Sequence, residues 1–242
     1  VLLSTGLFSE PIMFKIENPI NDFREVTLPF GVTNVIASGL GLRSLRGLPE
    51  GITDLDVSNN LLDDLDLCPK TVRNFRVSKN RVKTLDQISD VGIRALGVSY
   101  NHLTNFKGAP KTLESVVAVS NFLNSLEGLS QEIKFAKLYV SYNKLESMEH
   151  SPIADILDCS CNLLKNFDHI KEGVRELIIS NNPFDVIDLR SCPRSVELLR
   201  CSSCNVKSLA NYPPKLKVLE ALKNQIGDFS SVRCDTIEVF CD

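Results

Sequence analysis

The chain contains no Trp, only two Met and only four Tyr among its 242 residues. Large rigid side chains that fill a wide central core are scarce, so a core of Leu, Val and Ile is expected instead. No apolar run approaches the 18 or so residues of a membrane helix, which argues against a membrane span. Neither sign of charge dominates, since 27 Lys and Arg stand against 30 Asp and Glu for a net charge of −3. A bulk cationic field that would hold nucleic acid or an anionic membrane is therefore missing. No glycine-rich phosphate loop occurs either; the 12 glycines are scattered, with Gly39 and Gly41 the tightest pair. The chain starts at Val1 rather than Met, and VLLSTGLF lacks the basic flank and long apolar stretch of a signal peptide.

What the sequence does contain is a repeat. ITDLDVSNNLLDDL from Ile52 aligns with VRNFRVSKNRVKTL from Val72 and IRALGVSYNHLTNF from Ile93. The frame continues from Leu113, Phe135, Ala154, Val174, Val196 and Leu216, with a degenerate copy from Val32 that carries Leu40 in place of Asn. The ninth positions are Asn60, Asn80, Asn101, Asn121, Asn143, Asn162, Asn182, Cys204 and Asn224, spaced 19 to 22 residues apart. This is LxxLxLxxNxLxxL, and over about residues 26–242 the chain resembles the leucine-rich repeat family.

Each unit can also be read physically. Within LxxLxV the last two apolar residues alternate with polar ones, the period of a short strand with one buried face. The Asn then leaves the strand, where its donor and acceptor can satisfy backbone groups that lack a ladder partner. Two further apolar residues, such as Leu62 and Leu65, fill the core from the other side. No unit buries these residues alone, so stability must come from stacking neighbours. Only six residues separate Leu65 from Val72, and eight separate Ile187 from Val196. Segments this short, marked by Pro49, Pro69, Pro110, Pro193 and Pro214, cannot make a useful helix. The predicted fold is thus a leucine-rich-repeat solenoid of α/β type, mostly β. It should have a parallel concave sheet of about ten short strands and a convex side of extended or 3-10 structure. Repeats this short resemble the class found in bacterial effectors and some viral proteins.

Residues 1–31 are read as an N-terminal cap, and 32–242 as an array of about ten repeats with the last truncated. NPINDF at Asn18 copies NPFDVI at Asn182, but the strand before it is out of register. A further strand, CDTIEV, is expected from Cys234, with no polar capping element after it.

Of eight cysteines, Cys68 stands alone in the first half and Cys159, Cys161, Cys192, Cys201, Cys204, Cys234 and Cys241 crowd the second. Their placement favours free buried thiols in a reducing, intracellular compartment, inside a host cell or within a viral particle. Cys159 and Cys201 fall in one inward column two coils apart, roughly 9 to 10 Å, which is too far for a shared metal. Core thiols are expected, with no metal and no cofactor. His102, His150 and His169 lie outside the strands with no nucleophile recurring beside them, so they read as surface or turn residues and the chain as no enzyme. The seventh position is mostly Ser, which suits a tight strand exit.

The outward strand positions carry the functional expectation. One column reads Ile36, Asp56, Arg76, Gly97, Val117, Tyr139, Asp158, Ile178, Arg200 and Glu220; the one before it includes Asp54, Ala95 and Lys137. Asp54 and Asp56 form an acidic edge, the middle is small and apolar, and Tyr139, Arg76 and Arg200 are the best anchors. Tyr100 and Tyr142 lie at the strand exit and can extend the patch. The resemblance implies a non-catalytic module that binds a protein partner through its concave face, at Asp54, Asp56, Arg76, Lys137, Tyr139, Asp158 and Arg200. A second reading is a structural subunit of a larger assembly whose neighbours cover the solenoid ends. A third is the substrate-recognition part of a bacterial effector.

Overall fold

A computed structural model describes residues 10–184, 187, 189–227 and 237–241. VLLSTGLF, Asp185 and Val186 of the NPFDVI copy, and Cys234 to Thr236 of the last expected strand lie outside the described residues. The strands are β1 (Met13–Lys15), β2 (Asn34–Ile36), β3 (Asp54–Asp56), β4 (Asn74–Arg76), β5 (Ala95–Gly97) and β6 (Ser115–Val117). They continue as β7 (Phe135–Tyr139), β8 (Ala154–Asp158), β9 (Glu176–Ile178), β10 (Leu198–Arg200), β11 (Val218–Glu220) and β12 (Glu238–Phe240). All are parallel and lie in one sheet in chain order, each paired with its sequence neighbours. The register is that of the repeat: Leu55 pairs Phe75, Phe75 pairs Leu96, and Leu96 pairs Val116.

The predicted strands β2 to β11 are therefore present, and β12 continues the series. β1 lies within the segment expected to cap the array, with Phe14 in register with Val35. Three residues separate Phe14 from Asn18, whereas four separate Leu177 from Asn182. That one-residue slip hides the strand from a fixed spacing.

Among the described residues no α-helix occurs, and the convex side holds turns with three short 3-10 segments, Phe23–Glu25, Asp86–Ile88 and Leu189–Ser191. The core is a single ribbon of Leu, Val, Ile and Phe running the length of the stack. Phe23, Phe75, Phe106 and Phe135 are its largest fully buried side chains. Each buried Leu or Val adds on the order of 1.5–3 kcal/mol of transfer free energy, but only once neighbouring coils enclose it.

The Asn column closes the backbone ledger where the strands end. Asn101 accepts from Val82 N–H at 2.9 Å and donates to the Val77 and Val98 carbonyls at 3.0 and 3.1 Å. It therefore joins its own coil to the one before, and Asn60, Asn80, Asn121, Asn143, Asn162 and Asn182 repeat the arrangement. Cys204 acts here as a weak donor, with its Sγ 3.1 Å from the Ile179 carbonyl, and its sulfur is a poor acceptor. The N–H it leaves without an acceptor, on Phe184, turns instead to the carbonyl of Asn182 at 2.9 Å. Asn224 then resumes the ladder, accepting from both Cys204 and Val206 N–H at 3.0 Å.

The residue before each ninth position adopts a left-handed conformation. Asn59, Lys79, Tyr100, Ser120, Tyr142, Cys161, Asn181, Ser203 and Lys223 all have φ between 52° and 58°. For side chains such as Tyr and Lys this costs about 1 kcal/mol or more each. Two bonds impose it: the eighth N–H reaches across to the next coil, as from Tyr100 to the Val119 carbonyl at 2.8 Å, and the Asn fixes the following turn. The chain turns inward here, and the eighth side chain is thrown outward.

Candidate interaction surface

The outward face of the sheet is built from the two columns flanking the buried strand residue. Across β4 to β7 it sinks into a depression of about 380 Å³, lined by Arg76, Ser78, Ala95, Gly97, Ser115, Val117 and Lys137 among others. The depression exists because Ala95 and Gly97 lack bulk between Arg76 on the coil before and Lys137 two coils on. A Cβ added at Gly97 would meet nothing closer than 3.8 Å, at Arg76 Cγ and Ser78 Oγ. The floor is thus empty space rather than a tight backbone approach. Arg76 is exposed, with no hydrogen bond or ion pair to its side chain among the described residues. Lys137 Nζ stands 6.0 Å from the centroid of the Tyr139 ring.

The remaining expected contacts are more committed to their own chain. Asp54 Oδ1 accepts from Asn74 Nδ2 at 2.7 Å, and its Oδ2 from Thr53 Oγ1 at 2.9 Å. Asp56 Oδ1 accepts from Ser58 N–H at 3.0 Å, and Asp158 Oδ1 accepts from both the N–H and the hydroxyl of Ser160. These two carboxylates tie down the strand exit, satisfying a seventh-position N–H that the parallel ladder misses. Serines do the same elsewhere: Ser78, Ser99, Ser180 and Ser202 each accept from the seventh-position N–H of the next coil, at 3.1 to 3.2 Å. Arg200 is held by Glu220 at 3.0 Å.

The two edges of the sheet differ. At the strand entry, cations meet carboxylates of neighbouring coils. Arg175 grips Asp155 with two bonds of 2.8 and 2.5 Å, Lys134 reaches the same carboxylate at 3.3 Å, and Lys217 reaches Glu197 at 2.7 Å. The Arg175 guanidinium pulls the Asp155 carboxyl down to about 2, with Lys134 adding to the effect. At the strand exit, aromatic rings stand in the open: Tyr100, Phe122 and Tyr142 are 55%, 46% and 61% exposed. Lys79 lies 5.8 Å from the Tyr100 centroid and Lys144 lies 5.0 Å from that of Phe122, on which His102 stacks at 5.8 Å. The Tyr142 hydroxyl is made less acidic, first by the Cys161 thiol hydrogen-bonded to it.

No protein-family model matches the chain. Solved structures do. YopM from Yersinia enterocolitica superposes with a TM-score of 0.70 at 22% identity, over 96% of this chain and 55% of that one. This chain therefore spans little more than half of that relative's length. YopM from Yersinia pestis, described as a leucine-rich effector protein, matches at 0.61 and 19% identity over 95% and 77%. The leucine-rich-repeat chain of FLRT2, solved in an octameric complex with Latrophilin 3 and Unc5D, matches at 0.63 and 19% over 85% and 79%. The chain is a leucine-rich-repeat solenoid.

Within this solenoid most thiols are fillers. Cys68, Cys159, Cys192, Cys201 and Cys204 are buried, and no disulfide joins the described cysteines. Burial pushes the Cys68 and Cys192 thiols up to about 12, and that of Cys204 to about 11, so none of these is a nucleophile at neutral pH. Cys161 departs from the expected core role. It occupies an eighth position, is half-buried and faces the exit edge beside Tyr142. His102 stacks on Phe122 at that edge, and His150 and His169 sit in left-handed turns. Sequence reasoning missed Phe122 and Lys144 as surface features, although both hold the tenth position, immediately after the Asn, in the repeat frame.

Proposed function

We propose that this solenoid is a protein-interaction module that takes a partner on its concave face, centred on the depression over Ala95 and Gly97. The supporting observation is that depression, floored by small residues and flanked by Arg76 and Lys137, two cations that form no ion pair among the described residues. A protruding partner side chain fits the floor, and an acidic or hydrogen-bonding group fits the rim. Arg76 and Tyr139 supply the kind of anchor that dominates interface energetics. Arg200, paired with Glu220, contributes less, because a partner must first displace that carboxylate. FLRT2 in its octameric complex is a protein of this fold that assembles with other proteins, which agrees with a binding role. The test is crosslinked capture from the native source with the chain and with an Arg76→Ala, Tyr139→Ala variant, both quantified by mass spectrometry. Loss of the same captured protein from the folded variant is expected; equal capture by both contradicts the concave-face reading.

A further inference from the structure

The strand-exit edge carries a second surface that the concave-face reading does not use. In the five coils beginning at Val72, Ile93, Leu113, Phe135 and Ala154, the eighth, tenth and twelfth positions all lie along this edge. They hold five cations, Lys79, Arg81, Lys83, Lys144 and Lys165, against one carboxylate, Glu146. In a chain with more acidic than basic residues that is a local excess. All five cations are exposed, and none makes an ion pair with another described residue. The entry edge, by contrast, covers its cations with Glu114, Asp155 and Glu197 from adjacent coils.

The same positions hold the exposed rings. Tyr100 lies beneath Lys79, and Phe122 sits between His102 and Lys144 in one column. Tyr142 and Leu163, 61% and 44% exposed, continue the apolar strip over the next two coils. Scattered exposed apolar residues are ordinary, but a contiguous strip rimmed by unpaired charge of one sign marks a docking surface.

We infer that this edge docks an acidic, extended segment of a protein partner, with carboxylates on the lysines and an apolar side chain against Tyr100, Phe122 and Tyr142. Charge complementarity selects the acidic partner. Single-stranded nucleic acid would meet the same cations, but its affinity depends on bases stacking on open ring faces. Here Lys79 lies over the Tyr100 ring, and His102 and Lys144 flank Phe122. A peptide needs only the ring edges and the ammonium groups.

The probe is a synthetic peptide of Glu and Asp with one Phe and one Leu, titrated into the isotope-labelled chain at low salt and followed by amide chemical shifts. Saturable shifts at Tyr100, Phe122, Tyr142 and Lys144 are expected, with affinity falling about tenfold when the acids are replaced by their amides. Lys79→Glu with Lys144→Glu should weaken binding by about tenfold as well. Phe122→Ser, at a ring 46% exposed, should weaken it without reversing charge. Gly97→Leu, which fills the concave depression, should leave this affinity within about twofold, so the two surfaces fail or survive separately. The inference is overturned if shifts fail to saturate, if they map to Ala95 and Gly97, or if the variants bind as the parent does. Tighter binding of an oligothymidylate than of the peptide overturns it equally.

Discussion

The two edges of the sheet begin from the same repeat and handle polar groups in opposite ways. At the entry edge the side chains complete one another across coils: Arg175 and Lys134 on Asp155, Lys217 on Glu197, and Thr112 Oγ1 on the Ile93 carbonyl at 2.7 Å. At the exit edge the interior is completed by the Asn and Ser ladders, and the exterior is left open. The difference follows from backbone geometry. A left-handed turn at the eighth residue sends the Asn inward, where it satisfies the backbone, and sends its neighbour outward, to an edge where the eighth-position side chains make no ion pair among the described residues. Stability and recognition are thereby divided between consecutive residues, such as Asn101 and Tyr100.

The sharpest break of this contrast is Asn101→Ala. It strands the Val82 N–H and takes one of two donors from each of the Val77 and Val98 carbonyls, in a site only 3% exposed, and about 2–3 kcal/mol should be lost. Thr112→Val at the entry edge removes one partly buried bond and should cost about 1 kcal/mol. Urea unfolding of both variants measures the ratio; equal losses would erase the distinction. Smaller still is Asp155→Asn, an exposed network that contributes less than about 1 kcal/mol. Because Asp155 titrates lower in the folded chain, the stability it adds is present above about pH 4 and fades as pH falls towards about 2. The variant should flatten that limb of a stability profile against pH. Smallest of all, Lys79→Glu with Lys144→Glu should change stability by about 0.5 kcal/mol, since no ion pair among the described residues is broken and only two exposed cation–ring contacts are lost.

Much of this division was legible in the sequence. The ninth-position Asn and the inward Leu, Val and Cys recur at fixed spacing, because every coil must meet the same two neighbours. Three features were not legible, each for a local reason. β1 escapes the frame because Phe14 lies one residue closer to its Asn than Leu177 does. The left-handed eighth position escapes it because Tyr, Lys and Ser do not announce positive φ; tertiary bonds impose the conformation against propensity. The ties of Asp56 and Asp158 to the strand exit, and of Arg200 to Glu220, escape it because an outward column shows only that a side chain leaves the core. Of the anchors expected from sequence, Arg76 remains uncommitted, and the small floor beside it gives it a cavity to border.

The account rests on outward residues being free to serve a partner while inward ones hold the fold. Gly97→Leu tests both halves at once, because its new side chain enters open space above the sheet. Its thermal midpoint and its crosslinked capture of partner should be measured beside those of the parent chain. A midpoint equal to or above the parent's, with capture lost, is the predicted result. Undiminished capture, or a midpoint that falls as far as that of Asn101→Ala, would contradict it.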